Sequence, residues 1–259
     1  MAKKITDYGK WTAYDSPFRH YQATDLFGAE DYARISANFQ SLLKKSDESE
    51  DDYRYKFRKS KLDYDAKMIQ IDESIAPLFT PFFEEDFICS MADLLDLPYF
   101  PQIHSGLHSS PKGSRDGWLH TDHCSGWFDD NAQVKGNIIF QADCGCEYFR
   151  GKKKRDDALP AEYVRVATLL FYLCNDEWQE GDGGETGLFE IVEPDIVLQS
   201  KFIRPENNTA LVFACTPSSY HRFIANPGIT RNSLILGLHT SLEYAETIWG
   251  DAIKRRSAV

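Results

Sequence analysis

No stretch of this sequence approaches the ~18–20 consecutive apolar residues that a bilayer-spanning helix needs. Its first residues, Met-Ala-Lys-Lys-Ile-Thr-Asp, carry basic side chains with no apolar core behind them, so they do not read as a secretory signal. Cysteine is scarce. Six in 259 residues are too few for a disulfide framework, and Cys89, Cys124, Cys174 and Cys215 each stand alone, so we expect reduced thiols and a cytoplasmic protein. Positive charge is also short, with 29 Lys+Arg against 40 Asp+Glu and a net charge of −11. A surface of that sign repels phosphate backbones and anionic lipid, which argues against nucleic-acid or membrane partners. There is no internal repeat of solenoid or propeller length. Nor is there a phosphate loop: Gly181, Gly183 and Gly184 are followed by no Lys-Ser/Thr and open no helical pattern, so they read as a turn before a strand whose backbone passes close to something.

What is present is globular in kind, with 42% apolar and 27% charged residues. At about 150 residues per domain the length allows one domain or two, and no linker separates them, so a single domain over 1–259 is expected. Helical spacing marks Glu30 to Lys45 (Tyr32, Ile35, Phe39, Leu42, Leu43) and Ile75 to Leu97 (Leu78, Phe82, Ile88, Met91, Leu94, Leu95), with Pro77 and Pro81 delaying the start of the second helix. From Pro98 the pattern changes to short strands rich in β-branched and aromatic residues: Tyr99–His108, Gly117–Asp122, Val134–Ala142, Tyr163–Leu173, Ile196–Phe202, Thr209–Cys215, Tyr220–Ile224 and Arg231–His239. About eight such strands with no helical pattern between them predict a mainly β, α+β protein built on an antiparallel sandwich or barrel. Residues 1–97 would form a helical buttress on one face, 98–240 the core and 241–259 a C-terminal tail. The segment 46–67, acidic and then basic, reads as solvated, with a lid over a site as the sharper alternative.

Chemistry concentrates in Gly117-Trp118-Leu119-His120-Thr121-Asp122. On a strand His120 and Asp122 project from one face, with Trp118 beside them as a candidate lining residue for substrate. One imidazole and one carboxylate are two thirds of a facial iron(II) site, and His221, opening a later strand, is the natural third ligand. A bare His-x-Asp is weak by itself. Ten residues after His221, Arg231 begins a strand on which Ser233 shares its face. A guanidinium fork with a hydroxyl beside it suits a planar carboxylate, and an arginine aimed into an apolar core needs an anionic partner. His239 has the same parity but lies eight residues on, far enough for the chain to have left the barrel.

At this point the sequence resembles the iron(II)/2-oxoglutarate dioxygenase superfamily, and within it the prolyl-hydroxylase-like branch. The resemblance covers about residues 98–240. It rests on His120-x-Asp122, on Leu169-Leu170-Phe171-Tyr172-Leu173 followed by Asn175 and Trp178, and on Gly183-Gly184-Glu185-Thr186-Gly187-Leu188-Phe189. Pro205, Leu211-Val212-Phe213, His221 and Arg231 follow in order. It implies a double-stranded β-helix (jelly-roll) core flanked by N-terminal helices. It implies His120, Asp122 and His221 as iron ligands, and Arg231, with Tyr172 and Ser233, as the clamp on the tail of 2-oxoglutarate. Iron(II), 2-oxoglutarate and O2 would then be the cofactor and cosubstrates. A carboxylate at 122 implies hydroxylation or a related oxidation, since halogenating relatives carry a small residue there.

Two stretches depart from the pattern. Residues 123–162 look long for such a core and hold His123, Trp127, Asp143, Cys144, Cys146 and the basic run Arg150 to Arg155; the upstream strand carries His104 and His108, which match no family role. Substrate would be read there, and Trp127 is a second candidate contact. A small polar metabolite such as an amino acid or a derivative is the expected substrate. A peptidyl residue is the alternative, and a non-catalytic cupin-type binding module is the alternative of another class. Cys144-Gly145-Cys146 could suggest zinc, but only one tight pair is present where zinc sites use two.

Overall fold

The computed structural model describes residues 4–48, 56–59, 65–98, 101–132, 138–142, 144–193 and 196–253. Its elements are β1 (Lys10–Tyr14), β2 (His20–Thr24), α1 (Ala29–Glu48), β3 (Arg58–Lys59), β4 (Lys67–Gln70), α2 (Glu85–Leu94), β5 (Gln102–Ser110), β6 (Ser125–Asp129), β7 (Ile139–Phe140), β8 (Pro160–Tyr172), β9 (Thr186–Glu193), β10 (Ile196–Ile203), β11 (Thr209–Ala214), β12 (Tyr220–Phe223), β13 (Arg231–Ser241) and α3 (Leu242–Trp249). The larger sheet runs β1-β2-β11-β8-β13-β5-β4-β3, with β6 also on β8 and β7 on β5; the smaller runs β10-β9-β12. All pairings are antiparallel except β5 with β7. This is the mainly β, jelly-roll arrangement that the strand pattern and the resemblance together predict.

Period-two alternation divides the larger sheet into two faces. Ala167, Leu169 and Phe171 of β8, with Leu234, Leu236 and Leu238 of β13 and Val212 of β11, join the main core. That core also takes Ile35, Phe39 and Leu42 of α1 and Phe87, Ile88 and Met91 of α2, so the helices cover this face. Each helix presents its apolar stripe at i, i+3/i+4 spacing and carries two acids in its first turn, where they complement the helix dipole. The other face packs Leu170, Tyr172, Leu211 and Phe213 against Leu188 of the smaller sheet. Polar side chains of the core strands collect on this inner face.

The second expected helix is interrupted as its prolines suggest: a 3-10 turn spans Ala76–Phe79 and α2 begins at Glu85. Gly117–Asp122 is not a strand; only His120 bridges, to His221. Of the expected strand Val134–Ala142, Ile139–Phe140 is extended and residues 133–137 lie outside the described residues. Residues 49–55 and 60–64, most of the segment 46–67 that reads as solvated or, in the sharper alternative, as a lid, and Asp143 also lie outside them. β1, β2, β4 and β6 were not anticipated. Residues 241–259 begin with α3, where Ser241 Oγ accepts from Tyr244 N–H and Ala245 packs on Val164. Among the described residues no helix is long and apolar enough to cross a membrane.

Candidate active site

His120, Asp122 and His221 come together with their ligand atoms all within 4.8 Å of one another, the sole such group of three among the described residues. His120 Nε2 lies 3.7 Å from Asp122 Oδ1, and His221 Nε2 lies 3.8 Å from Asp122 Oδ2. Backbone pairing, not strand alternation, brings them together: His120 N–H donates to His221 O (3.1 Å) and His221 N–H to His120 O (2.8 Å). Both rings turn the other nitrogen to a carbonyl, His120 Nδ1 to Trp118 O (2.7 Å) and His221 Nδ1 to Ser219 O (3.2 Å). A carbonyl only accepts, so each Nδ1 carries the proton and each Nε2 offers its lone pair. Burial pushes the His221 imidazolium down to about 4, which keeps that lone pair available at neutral pH. Two imidazoles that turn Nε2 toward one carboxylate, on one side of a point, fit a divalent iron that needs open positions opposite.

The site opens on the His120 side. Trp118 and Leu119 are 50% and 43% exposed, so the inward face expected for Trp118 is corrected: there is no strand here to alternate, and Trp118 serves the site through its carbonyl.

Asp122 is held from behind. Burial alone would raise its carboxyl, but the Arg165 guanidinium, first, and a hydrogen bond from Thr168 hold it well below the usual carboxylate range. Arg165 Nη1 stands 3.2 Å from Oδ2 and Thr168 Oγ donates to the same oxygen at 2.9 Å, leaving Oδ1 toward His120. Neither residue was foreseen. Parity would point Arg165 at the helices along with Ala167, but β8 bulges against β13. Leu238 pairs with Ala167 while His239 pairs with Arg165, and the extra residue re-aims the guanidinium inward. Gly237 makes room for it, since a Cβ there would come within 3.0 Å of Arg165 Nε. His239 does not leave the barrel: it remains in β13, fully buried; its Nδ1 donates to Gln102 O, and Tyr148 Oη, 2.7 Å from its Nε2, also receives Arg165 Nη2 at 3.4 Å.

Arg231 lies farther along the same inner face, 4% exposed, with its guanidinium over the Tyr172 and Phe223 rings. Nη2 donates to Thr186 Oγ (3.1 Å), which in turn lies 2.7 Å from Tyr172 Oη. Arg231, Tyr172 and Ser233 thus lie side by side on one face: Ser233 stands opposite Tyr172 across the β8–β13 pairing, and no acidic side chain pairs with the guanidinium among the described residues. Thr186 was quoted in the sequence only as part of a glycine-rich turn. That turn does make the expected close approach, for a Cβ on Gly183 would come within 1.8 Å of Ala225 O.

Other singled-out residues have separate surroundings. His123 Nδ1 donates to Cys215 O and its ring meets Trp249 edge-on. Trp127 packs with Phe128, Cys144, Cys146 and Tyr148. Cys144 and Cys146 sulfurs lie 3.4 Å apart, with no third ligand gathered around them among the described residues.

No family model matches the chain, and no curated protein matches it. Solved structures do. A prolyl hydroxylase from Trichoplax adhaerens, in complex with a hypoxia inducible factor oxygen degradation domain peptide fragment, aligns over 88% of this chain and 86% of its own, with a TM-score of 0.52 and 14% identity. A prolyl-4-hydroxylase from Pseudomonas putida aligns over 90% of this chain and 94% of its own (TM-score 0.49, 14% identity). An oxidoreductase of the 2OG-Fe(II) oxygenase family from Burkholderia pseudomallei aligns over 93% and 88% (TM-score 0.49, 13% identity). The first of these carries the conclusion that the chain has the prolyl-hydroxylase type of jelly-roll fold.

Proposed function

We propose that this chain is an iron(II)- and 2-oxoglutarate-dependent dioxygenase that hydroxylates an unactivated C–H bond. The observation that supports it most is the coexistence, on one inner face of that fold, of a His-Asp-His group with lone pairs converging and a buried arginine with no carboxylate partner among the described residues. His120, Asp122 and His221 would hold the metal, and Arg231, Tyr172 and Ser233, with Thr186, would hold the distal carboxylate of the oxo-acid. Iron(II), 2-oxoglutarate and O2 together supply the oxidation, giving succinate, CO2 and a hydroxylated product that takes the second oxygen atom. The protein orients the imidazoles through their Nδ1 protons, keeps Asp122 ionised through Arg165 and Thr168, and excludes water from the clamp.

The substrate class favoured is a small polar metabolite, an amino acid or a derivative. The exposed Trp118 and Leu119 at the mouth favour a second reading, a peptidyl residue presented from outside. A mass-shift screen of +16 Da across small molecules and peptides separates the two. The oxygenase reading itself is tested by adding iron(II) and 2-oxoglutarate anaerobically to metal-free protein. A weak visible charge-transfer band that fades in Arg231→Ala supports it. No band from folded protein would overturn it in favour of a non-catalytic binding module.

A further inference from the structure

Four buried polar atoms beside the proposed clamp lack any hydrogen-bond partner: Arg231 Nε, Ser233 Oγ, His108 Nε2 and Ser110 Oγ. They form one patch rather than four accidents. β13 and β5 pair in register, so Ser233 faces His108 and Arg231 faces Ser110 on the same inner surface. Side chains on alternate positions of β5 confirm the face: Ile103 and Leu107 enter the core under the helices, while His104, His108 and Ser110 point the other way. Buried donors and acceptors are rarely left unpaired, since each lost hydrogen bond is destabilising. Four adjacent ones mark the outline of a polar ligand.

From this we infer that His108 and Ser110, two residues of β5, complete the cradle for the distal carboxylate, donating hydrogen bonds to it beside the ion pair from Arg231. The inference rests on the proposed 2-oxoglutarate reading and extends it to a strand to which that reading gives no part. Its chemistry is specific. Burial and the Arg231 charge push the His108 imidazolium down to about 3, so the ring is neutral and Nε2–H can donate without adding a second cation. The cradle then offers one full positive charge and neutral donors, matched to one carboxylate and not to two.

The test is calorimetric titration of 2-oxoglutarate into the protein loaded with manganese(II), which binds without turnover, in wild type, Arg231→Ala, His108→Phe, His108→Gln and Ser110→Ala. A hydrogen bond to a charged group supports a loss of about tenfold or more in affinity for His108→Phe and for Ser110→Ala. His108→Gln, which keeps an amide N–H near the Nε2 position, recovers much of that loss. The same variants are titrated with 2-oxopentanoate, which has the same chain length without the distal carboxylate, and its affinity stays unchanged. Equal weakening of both ligands would mean that the β5 residues only shape the fold, overturning the inference. So would unchanged 2-oxoglutarate affinity in His108→Phe and Ser110→Ala while Arg231→Ala weakens it. Wild type that binds no 2-oxoglutarate at all would overturn the dioxygenase reading and this one with it. If His108→Phe fails to fold, Ser110→Ala gives the same discrimination for the patch and His108→Leu replaces His108→Phe.

Discussion

Arg165 Nη1 lies 3.2 Å from Asp122 Oδ2, with only 8% and 16% of the two side chains exposed. The pair is made by a strand at the middle of the larger sheet reaching a loop residue that no strand holds, so the guanidinium substitutes for the missing backbone support. In Arg165→Met the carboxylate is left buried with Thr168 as its remaining fixed donor. Breaking such a pair by removing one partner is worth about 3–5 kcal/mol of stability. Removing a group that orients a metal ligand weakens metal binding about 10–100-fold. Thermal unfolding and a cobalt(II) titration read these two effects, and an unchanged cobalt affinity would remove Arg165 from the site.

Thr186 links the two halves of the clamp, accepting from Arg231 and lying within hydrogen-bond distance of Tyr172. Thr186→Val keeps the shape and loses the hydroxyl. The arginine then has one fewer anchor, and the 2-oxoglutarate concentration that half-saturates the anaerobic charge-transfer band rises by about tenfold. The maximal band intensity stays the same, because the metal and its three ligands are untouched.

The strands were readable from sequence because their apolar residues alternate; β8, β11 and β13 differ from expectation by only a few residues at their ends. β1, β2 and β6 were not readable: they carry mixed polar sequence, and their extended form comes from pairing, β1 with β2, β2 with β11 and β6 with β8. The three metal-ligand candidates were legible as residue types, but the route to them was not. The sequence argument placed His120 and Asp122 on a strand, whereas a two-bond bridge to His221 aligns them. Arg165 escaped notice because a bulge is invisible to a period-two count. His108 stands out in the sequence without a role and Ser110 does not stand out, because the role proposed for them depends on register between β5 and β13, which no local pattern states.

Acid sensitivity follows from the histidines. His108 is pushed down to about 3, and burial also lowers His104, His20 and His123. Below their ordinary pKa of about 6.5 the unfolded chain takes up protons that the folded chain does not. Stability is therefore full above that pH and falls as the pH drops toward 3, by up to ~1.4 kcal/mol per pH unit for each such proton. Denaturant unfolding of the metal-free protein between pH 7 and pH 4.5 reads the slope. His108→Gln flattens it by as much as one proton, and a slope that ignored the substitution would place that ring in water.

Asp122 is the residue whose loss separates chemistry from folding, provided the substitution respects Arg165. Asp122→Ala removes the ligand but also strands a guanidinium that is 7% exposed, so its inactivity would be confounded by instability. Asp122→Asn keeps the shape and an oxygen for Arg165 or Thr168 while removing the charge proposed to bind the metal. It should retain a cooperative unfolding transition and lose succinate formation entirely, with the 2-oxoglutarate clamp intact. Full turnover in Asp122→Asn would mean that this carboxylate is not the metal's anionic ligand, and the assignment of His120 and His221 would fall with it.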